Sequence, residues 1–322
     1  MTHIEVSYRV RKESLYPVIF SIFCFILSYC FFPYYFGGDQ QFYNKFYGGI
    51  SGYGLFDGFI FYNNSLGTKE PFYYLIVYFF SGWTDRVFFV SLANSLLAFL
   101  IYRNIVRLRV VPLYYFLIFF NFYILVLFFS AERLKFGVLF FLLALEYKRE
   151  VRLVFFLLAV LTHVQVIFLV VAVQAANLII FFKLLARLSL RASYLHLLFG
   201  LFALSFVGYF LKDHIISKLQ FYSAVLDISS ILKPMFFLFW ALLYAKNRRV
   251  ECFLAALPMV FASFFIGDER VNIFMYFLFS YYAFQFKKGV NFPSLMFAIY
   301  YTFTGCTFLY LFYNYGDGFV VS

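Results

Sequence analysis

The sequence predicts an all-α, polytopic integral membrane protein, on three observations. Hydrophobic residues make up 65% of its 322 residues and charged residues only 13%. Apolar runs near the roughly 20 residues a spanning helix needs recur from end to end. Basic residues cluster at the ends of those runs. A soluble domain cannot hide this much apolar surface, because its core grows too slowly with chain length. The mean hydropathy of +0.86 agrees. Residues 1–322 therefore read as a single transmembrane domain with outer loops at 37–70 and 212–233.

The basic clusters order the elements. They are Arg9/Arg11/Lys12, Arg103/Arg107/Arg109, Lys148/Arg149/Arg152, Lys183/Arg187/Arg191, Lys246/Arg248/Arg249 and Lys287/Lys288. This is the positive-inside pattern, which assigns the clusters and the N-terminus to the cytoplasm. An even number of crossings, or none, must then separate neighbouring clusters.

The run 15–36 is too long for a signal-peptide core and lacks a small-x-small cleavage site, so it is expected to be an uncleaved first span. The run 71–82 is half the needed length and reads as a short interfacial or re-entrant helix. The span 86–102 returns, 111–130 leaves and 132–147 returns again. The run 153–182 must go out and back, which leaves its apex near His163 below the outer surface. Spans at 193–211, 230–245, 250–266, 271–286 and 292–312 complete about eleven.

Composition also excludes function classes. The net charge of +11 would suggest nucleic acid in a soluble protein. Here the positive-inside pattern explains it, so membrane lipids are expected as partners and nucleic acid is not. The 54 Phe and 29 Tyr suit lipid-facing surface and interfacial belts. The four cysteines lie in apolar segments without metal-ligand spacing, so neither a disulfide nor a metal site is expected. No phosphate-binding loop, dinucleotide fingerprint, His-Glu-x-x-His or Gly-x-Ser-x-Gly occurs, and no cofactor is expected.

Chemistry-bearing residues gather on the expected outer face. The loop 37–70 holds Asp39, Asp57, Lys69 and Glu70 among eight Gly and many Tyr. It reads as an adaptable surface that stacks on and hydrogen-bonds to sugars. Arg133 follows Glu132 at the outer start of a span, and Arg270 follows Asp268 and Glu269 at another outer turn. Ionisable residues at membrane depth are costly and face a cavity or a partner. A guanidinium binds phosphate oxygens bidentately, so two such arginines suit a lipid diphosphate. The bland alternative pairs each Arg with its acidic neighbour, or lets it snorkel. His163 interrupts an apolar run near Gln165; it is either a packing residue or a general base for a sugar hydroxyl.

In order along the chain, these landmarks resemble the Wzy-type O-antigen polymerases of the EpsG-like family. Gly37-Gly38-Asp39 with Tyr43 and Tyr47 resembles the family's Gly-x-Asp-x-x-x-Tyr motif. Glu70-Pro71 with Tyr73 and Tyr74 resembles its Glu-Pro motif opening a short helix. Arg133 and His163 stand where the family has an Arg opening one helix and a His closing the next. The chain departs from the family with Leu134, Lys135 and Phe136 after the Arg, and with Gln165 after the His.

The resemblance implies a glycosyltransferase of the bacterial inner membrane with its active face periplasmic, and allows a GT-C-like arrangement. Its substrates would be undecaprenyl-diphosphate-linked oligosaccharides, for lipopolysaccharide or another surface polysaccharide, with a chain-length regulator protein as a partner. His163, Arg133 and Arg270 would be catalytic, with Asp39 and Glu70 as alternative bases. Asp39, Tyr43, Glu70, Glu132, Asp268 and Glu269 would bind substrate. A flippase of lipid-linked oligosaccharide and a membrane acyltransferase are the competing readings.

Overall fold

A computed structural model describes residues 3–186 and 228–319. Every regular element among them is helical. The expected span 193–211 and most of the expected outer loop 212–233 lie outside the described residues, as do Arg187 and Arg191.

Among the described residues, three helices are long and apolar enough to cross a membrane, Leu15–Tyr34, Arg86–Arg107 and Phe292–Tyr315, or four if the bent pair 113–119 and 122–130 is one span. The architecture is that of a helical membrane protein, as expected where lipid leaves the backbone no water to bond to.

The first long helix, α1 (His3–Phe31), packs antiparallel to α5 (Arg86–Arg107). A stripe of small and polar side chains lets the two approach. Ser21 bonds Ser95 at 2.8 Å, and Asn94 Nδ2 donates to Ser28 Oγ at 2.9 Å and to the Phe128 carbonyl at 2.8 Å. Such contacts replace the hydrophobic drive that lipid removes between membrane helices.

The expected polar loop 37–70 is folded instead. It contains α2 (Gln40–Ile50) and α3 (Leu55–Leu66), followed by the short α4 (Pro71–Phe80). Gln40, Tyr43, Phe46, Tyr47 and Ile50 are buried and recur at helical spacing, so α2 is amphipathic. The glycines that suggested an open loop mostly fall between or beside these helices. Gly37 serves a particular contact: its N–H donates to the Gly316 carbonyl at 2.7 Å, and a Cβ there would lie 2.9 Å from that oxygen.

The expected span 111–130 is bent. It divides into α6 (Leu113–Phe119), α7 (Phe122–Leu125) and a π-helical turn, Val126–Ser130, with a 49° bend between the two halves. Asn121 holds the break: its Oδ1 accepts from Tyr123 N at 3.0 Å and its Nδ2 donates to Tyr276 Oη at 2.9 Å. After the break come α8 (Glu132–Glu146), α9 (Arg149–Thr162) and α10 (Ile167–Ala186). The chain does turn at His163, but α9 packs along α8 rather than forming a tight hairpin with α10.

Four helices complete the described chain: α11 (Leu232–Ala245), α12 (Arg249–Ile266), α13 (Asp268–Gln285) and α14 (Phe292–Tyr315). Helices α10 to α13 pack as one group, and α14 lies against α6 and α7.

These packings sort charge to two ends. Arg103 and Arg107 meet Glu146 at the end of α8. The Val111 N–H donates to the Lys288 carbonyl, Arg248 bonds Gln285, and Lys246 lies over the Phe286 ring. Most of the basic clusters therefore share one end. Glu70, Arg86, Arg133 and His163 occupy the other, about 33 Å away along the 22 residues of α5. Gly37 and Gly316 meet at that second end, so α1 and α14 run to the same side.

Candidate functional site

The site is assembled from four separate stretches of chain around one carboxylate. Glu70 precedes α4, which opens with Pro71. The Glu70 side chain makes no cap to that helix and turns inward, where it is 1% exposed. Arg133 Nη1 donates to its Oε2 at 2.6 Å. Its Oε1 accepts from His163 Nδ1 at 2.8 Å and from the Val164 N–H at 3.2 Å. Arg133 Nε donates to Tyr43 Oη at 3.2 Å, which ties α2 to the cluster.

Local backbone sets these positions. Ala131, with φ −89° and ψ 68°, separates the π-helical turn from α8 and so places Arg133 in that helix's first turn. His163 leaves the helical region at φ −155°, ψ 114°, which ends α9 and swings the imidazole toward Glu70. Gly137, one turn below Arg133, lets the two helices close. A Cβ there would meet Val166 Cγ2 at 2.7 Å and His163 Cβ at 3.3 Å.

Burial alone would raise the Glu70 pKa, but Arg133 and His163 outweigh it and hold the carboxyl well below the ordinary range. Glu70 is thus an ionised, acceptor-only group. His163 must then carry its proton on Nδ1, leaving Nε2 as the nitrogen that accepts. Gln165 Oε1 lies 3.3 Å from Nε2; turning that amide over presents its NH₂ as the donor to an unprotonated Nε2. Tyr43 is pushed up by burial, which the nearby Arg133 partly offsets. At 18% and 14% exposure, the Arg133 and His163 side chains retain a face open to a ligand.

A second buried network adjoins the first. Arg86 pairs with Glu132 and also donates to Gln40 Oε1 and, at 2.5 Å, to Asn44 Oδ1. Tyr73 Oη donates to the other Glu132 oxygen at 2.7 Å. The Tyr43 and Tyr73 rings meet edge to face at 6.1 Å and join the two networks. Gln40 Nε2 donates to the Phe129 and Ser130 carbonyls, where the π-helical turn leaves them unpaired. Lys135 is fully buried, its Nζ has no hydrogen-bond partner among the described residues, and it lies 5.7 Å from the Phe32 ring. Three basic side chains (Arg86, Arg133, Lys135) therefore face two carboxylates.

The sequence-predicted residues divide accordingly. Tyr43, Glu70, Arg133 and His163 come together in one cluster, and Glu132 in the adjoining one. Neither Arg133 nor Glu132 pairs with its neighbour in sequence; Arg133 takes Glu70 and Glu132 takes Arg86. Asp39 is exposed at the start of α2 and makes no side-chain cap. Asp268 opens α13 at the same end of the molecule, with Glu269 and Arg270 exposed on its first turn. Sequence reasoning missed Arg86, Gln40 and Lys135. Arg86 left a signal, since it is an ionisable residue opening an apolar helix directly after its Asp85 cap.

Compared with protein-family models, curated proteins and solved structures, the chain finds no match.

Proposed function

We propose that this chain is a polymerase of lipid-linked oligosaccharides of the Wzy, EpsG-like kind. It would join undecaprenyl-diphosphate-linked repeats at the periplasmic face of a bacterial inner membrane, with the basic end cytoplasmic and about eleven spans in all. The observation that carries the reading is the meeting of Tyr43, Glu70, Arg133 and His163 at the end opposite the basic clusters.

Their geometry suits glycosyl transfer. His163 Nε2 takes the proton of an acceptor sugar hydroxyl, as a positioned general base does. The freed oxygen bonds to the donor's anomeric carbon while the bond from that carbon to the diphosphate oxygen breaks. Glu70, buried and ionised, orients the imidazole and stabilises the imidazolium, as an orienting carboxylate does in other nucleophile–base systems. Its burial and its three donors fit that role better than the role of base, leaving exposed Asp39 as the alternative base. Arg133, with Arg270 on the same end, stabilises the charge that develops on the leaving diphosphate. Asp39, Tyr43, Asp268 and Glu269 would line the sugar path, with Glu132 behind them holding Arg86 and Tyr73. No cofactor enters this scheme, and a chain-length regulator would act beside it.

The test is polymerisation in proteoliposomes supplied with lipid-linked repeats. Arg133→Ala and His163→Ala should each leave single repeats unjoined. Unchanged chain length and yield in both variants, with insertion verified, would refute the proposal.

A further inference from the structure

At the opposite end of the molecule, a cavity of about 460 Å³ opens between α5, α6, α7, α8, α10, α12 and α13. Its volume falls in the range of built small-molecule sites. The inner wall is apolar, with Ile105, Ile124, Leu127, Phe141 and Leu169 among its side chains. The deep polar groups, Asn121 and Tyr276, bond each other at 2.9 Å. Water would therefore find few partners inside, and a hydrocarbon chain would replace it favourably.

The rim differs sharply from the wall. Arg107 and Arg248 line the cavity at the basic end, with side chains 47% and 42% exposed. Each also holds a carboxylate: Arg107 binds Glu146 through two bonds of 2.6 and 2.7 Å, and Arg248 binds Glu251. These pairs orient the guanidinium groups without neutralising the end as a whole. The basic clusters at this end, with Arg103, Arg109, Lys148, Arg152, Lys246, Lys287 and Lys288, outnumber its acidic residues.

We propose that this cavity is a binding site for an anionic phospholipid. One acyl chain fills the apolar interior, and the phosphate rests between Arg107 and Arg248. Basic pockets between helices on the positive side of membrane proteins take anionic headgroups in this way. An apolar interior beneath a basic rim matches a phospholipid better than a free anion, which has nothing to place inside. The site is separate from the Glu70 cluster and does not rest on the polymerase reading.

The experiment is native mass spectrometry of the full chain in neutral detergent, with phosphatidylglycerol and phosphatidylcholine of identical acyl chains at equal concentration. Phosphatidylglycerol adducts should exceed phosphatidylcholine adducts by about fivefold or more, near the gain of one basic contact with an anionic surface. Arg107→Gln with Arg248→Gln should abolish that preference. Arg249→Gln, an exposed basic residue outside the cavity lining, should leave it unchanged. Ala172→Phe, which fills the interior, should lower adducts of both lipids; if that variant misfolds, the exposed arginine variants still decide. Equal retention of the two lipids would overturn the proposal, as would a preference that survives the double substitution. Displacement of the lipid by inorganic phosphate at matched concentration would also overturn it, because a bare anion site would then suffice.

Discussion

Replacing Glu70 by Gln changes one oxygen into an NH₂ and almost nothing in volume, yet the site leaves no harmless orientation for the amide. Three donors converge on the two carboxylate oxygens: Arg133 Nη1 on Oε2, His163 Nδ1 and the Val164 N–H on Oε1. If the amide NH₂ faces Arg133, donor meets donor and the guanidinium loses its counter-charge. If it faces His163, it opposes the Val164 N–H and forces the imidazole into the other tautomer, with its proton on Nε2. Removing one partner of a buried pair costs about 3–5 kcal/mol. Because the amide keeps one acceptor and Arg133 is not wholly enclosed, we expect about 2–4 kcal/mol. Thermal unfolding in detergent should show the loss as a clear fall in midpoint. Polymerisation should fall further than stability, by about 10²-fold or more, since a displaced or wrongly protonated base cannot act. Charge should have the same effect through pH. Arg133 and His163 hold the Glu70 pKa below its ordinary value of 4.5, so its contribution is complete above that value and lost as pH falls through the lower, folded value. Glu70→Gln should be less acid-sensitive than the parent over that lower range. A Glu70→Gln protein as stable and as active as the parent would refute this reasoning.

Three further substitutions probe the surroundings. Lys135→Met keeps the length of a buried side chain whose amine has no hydrogen-bond partner among the described residues, and should be neutral or stabilising by up to about 4 kcal/mol in thermal unfolding; a loss above about 2 kcal/mol would show that the amine is held after all. Arg133→Lys cannot reach Glu70 and Tyr43 together, so polymer yield should drop nearly as far as with Ala; full activity would mean that charge alone suffices. Gly137→Ala places a methyl 2.7 Å from Val166 and should cost about 1–3 kcal/mol, with activity falling because His163 is pushed from Glu70; unchanged polymer length would detach the helix packing from the chemistry.

How much of this was legible in the sequence depends on the kind of signal. The long apolar helices and the shared basic end were legible, because span length and positive-inside clustering are properties of composition along the chain. The turn at His163 followed from parity, since two crossings had to fit within thirty residues. Tyr43, Glu70, Arg133 and His163 were named through motif order, but composition could not pair them. The neighbours Glu132 and Arg133 suggested a local ion pair, whereas folding sends them to partners 46 and 63 residues away. The loop 37–70 was misread because its glycines masked the spacing of Gln40, Tyr43, Phe46, Tyr47 and Ile50, which is helical once they are ignored. The bend near Asn121 depends on a tyrosine supplied from α13, 155 residues on. Arg86 and Lys135 were passed over because each sits in an otherwise apolar helix that satisfied the search for a span.

The most direct test of the central claim is a surface-polysaccharide gel from a bacterial host lacking this gene, complemented with the parent chain or with His163→Ala. The account predicts that the deletion and the His163→Ala strain both lose long chains while core carrying a single repeat remains. Loss of the single-repeat band as well would contradict it, because the defect would then precede polymerisation, in transport of the lipid-linked repeat.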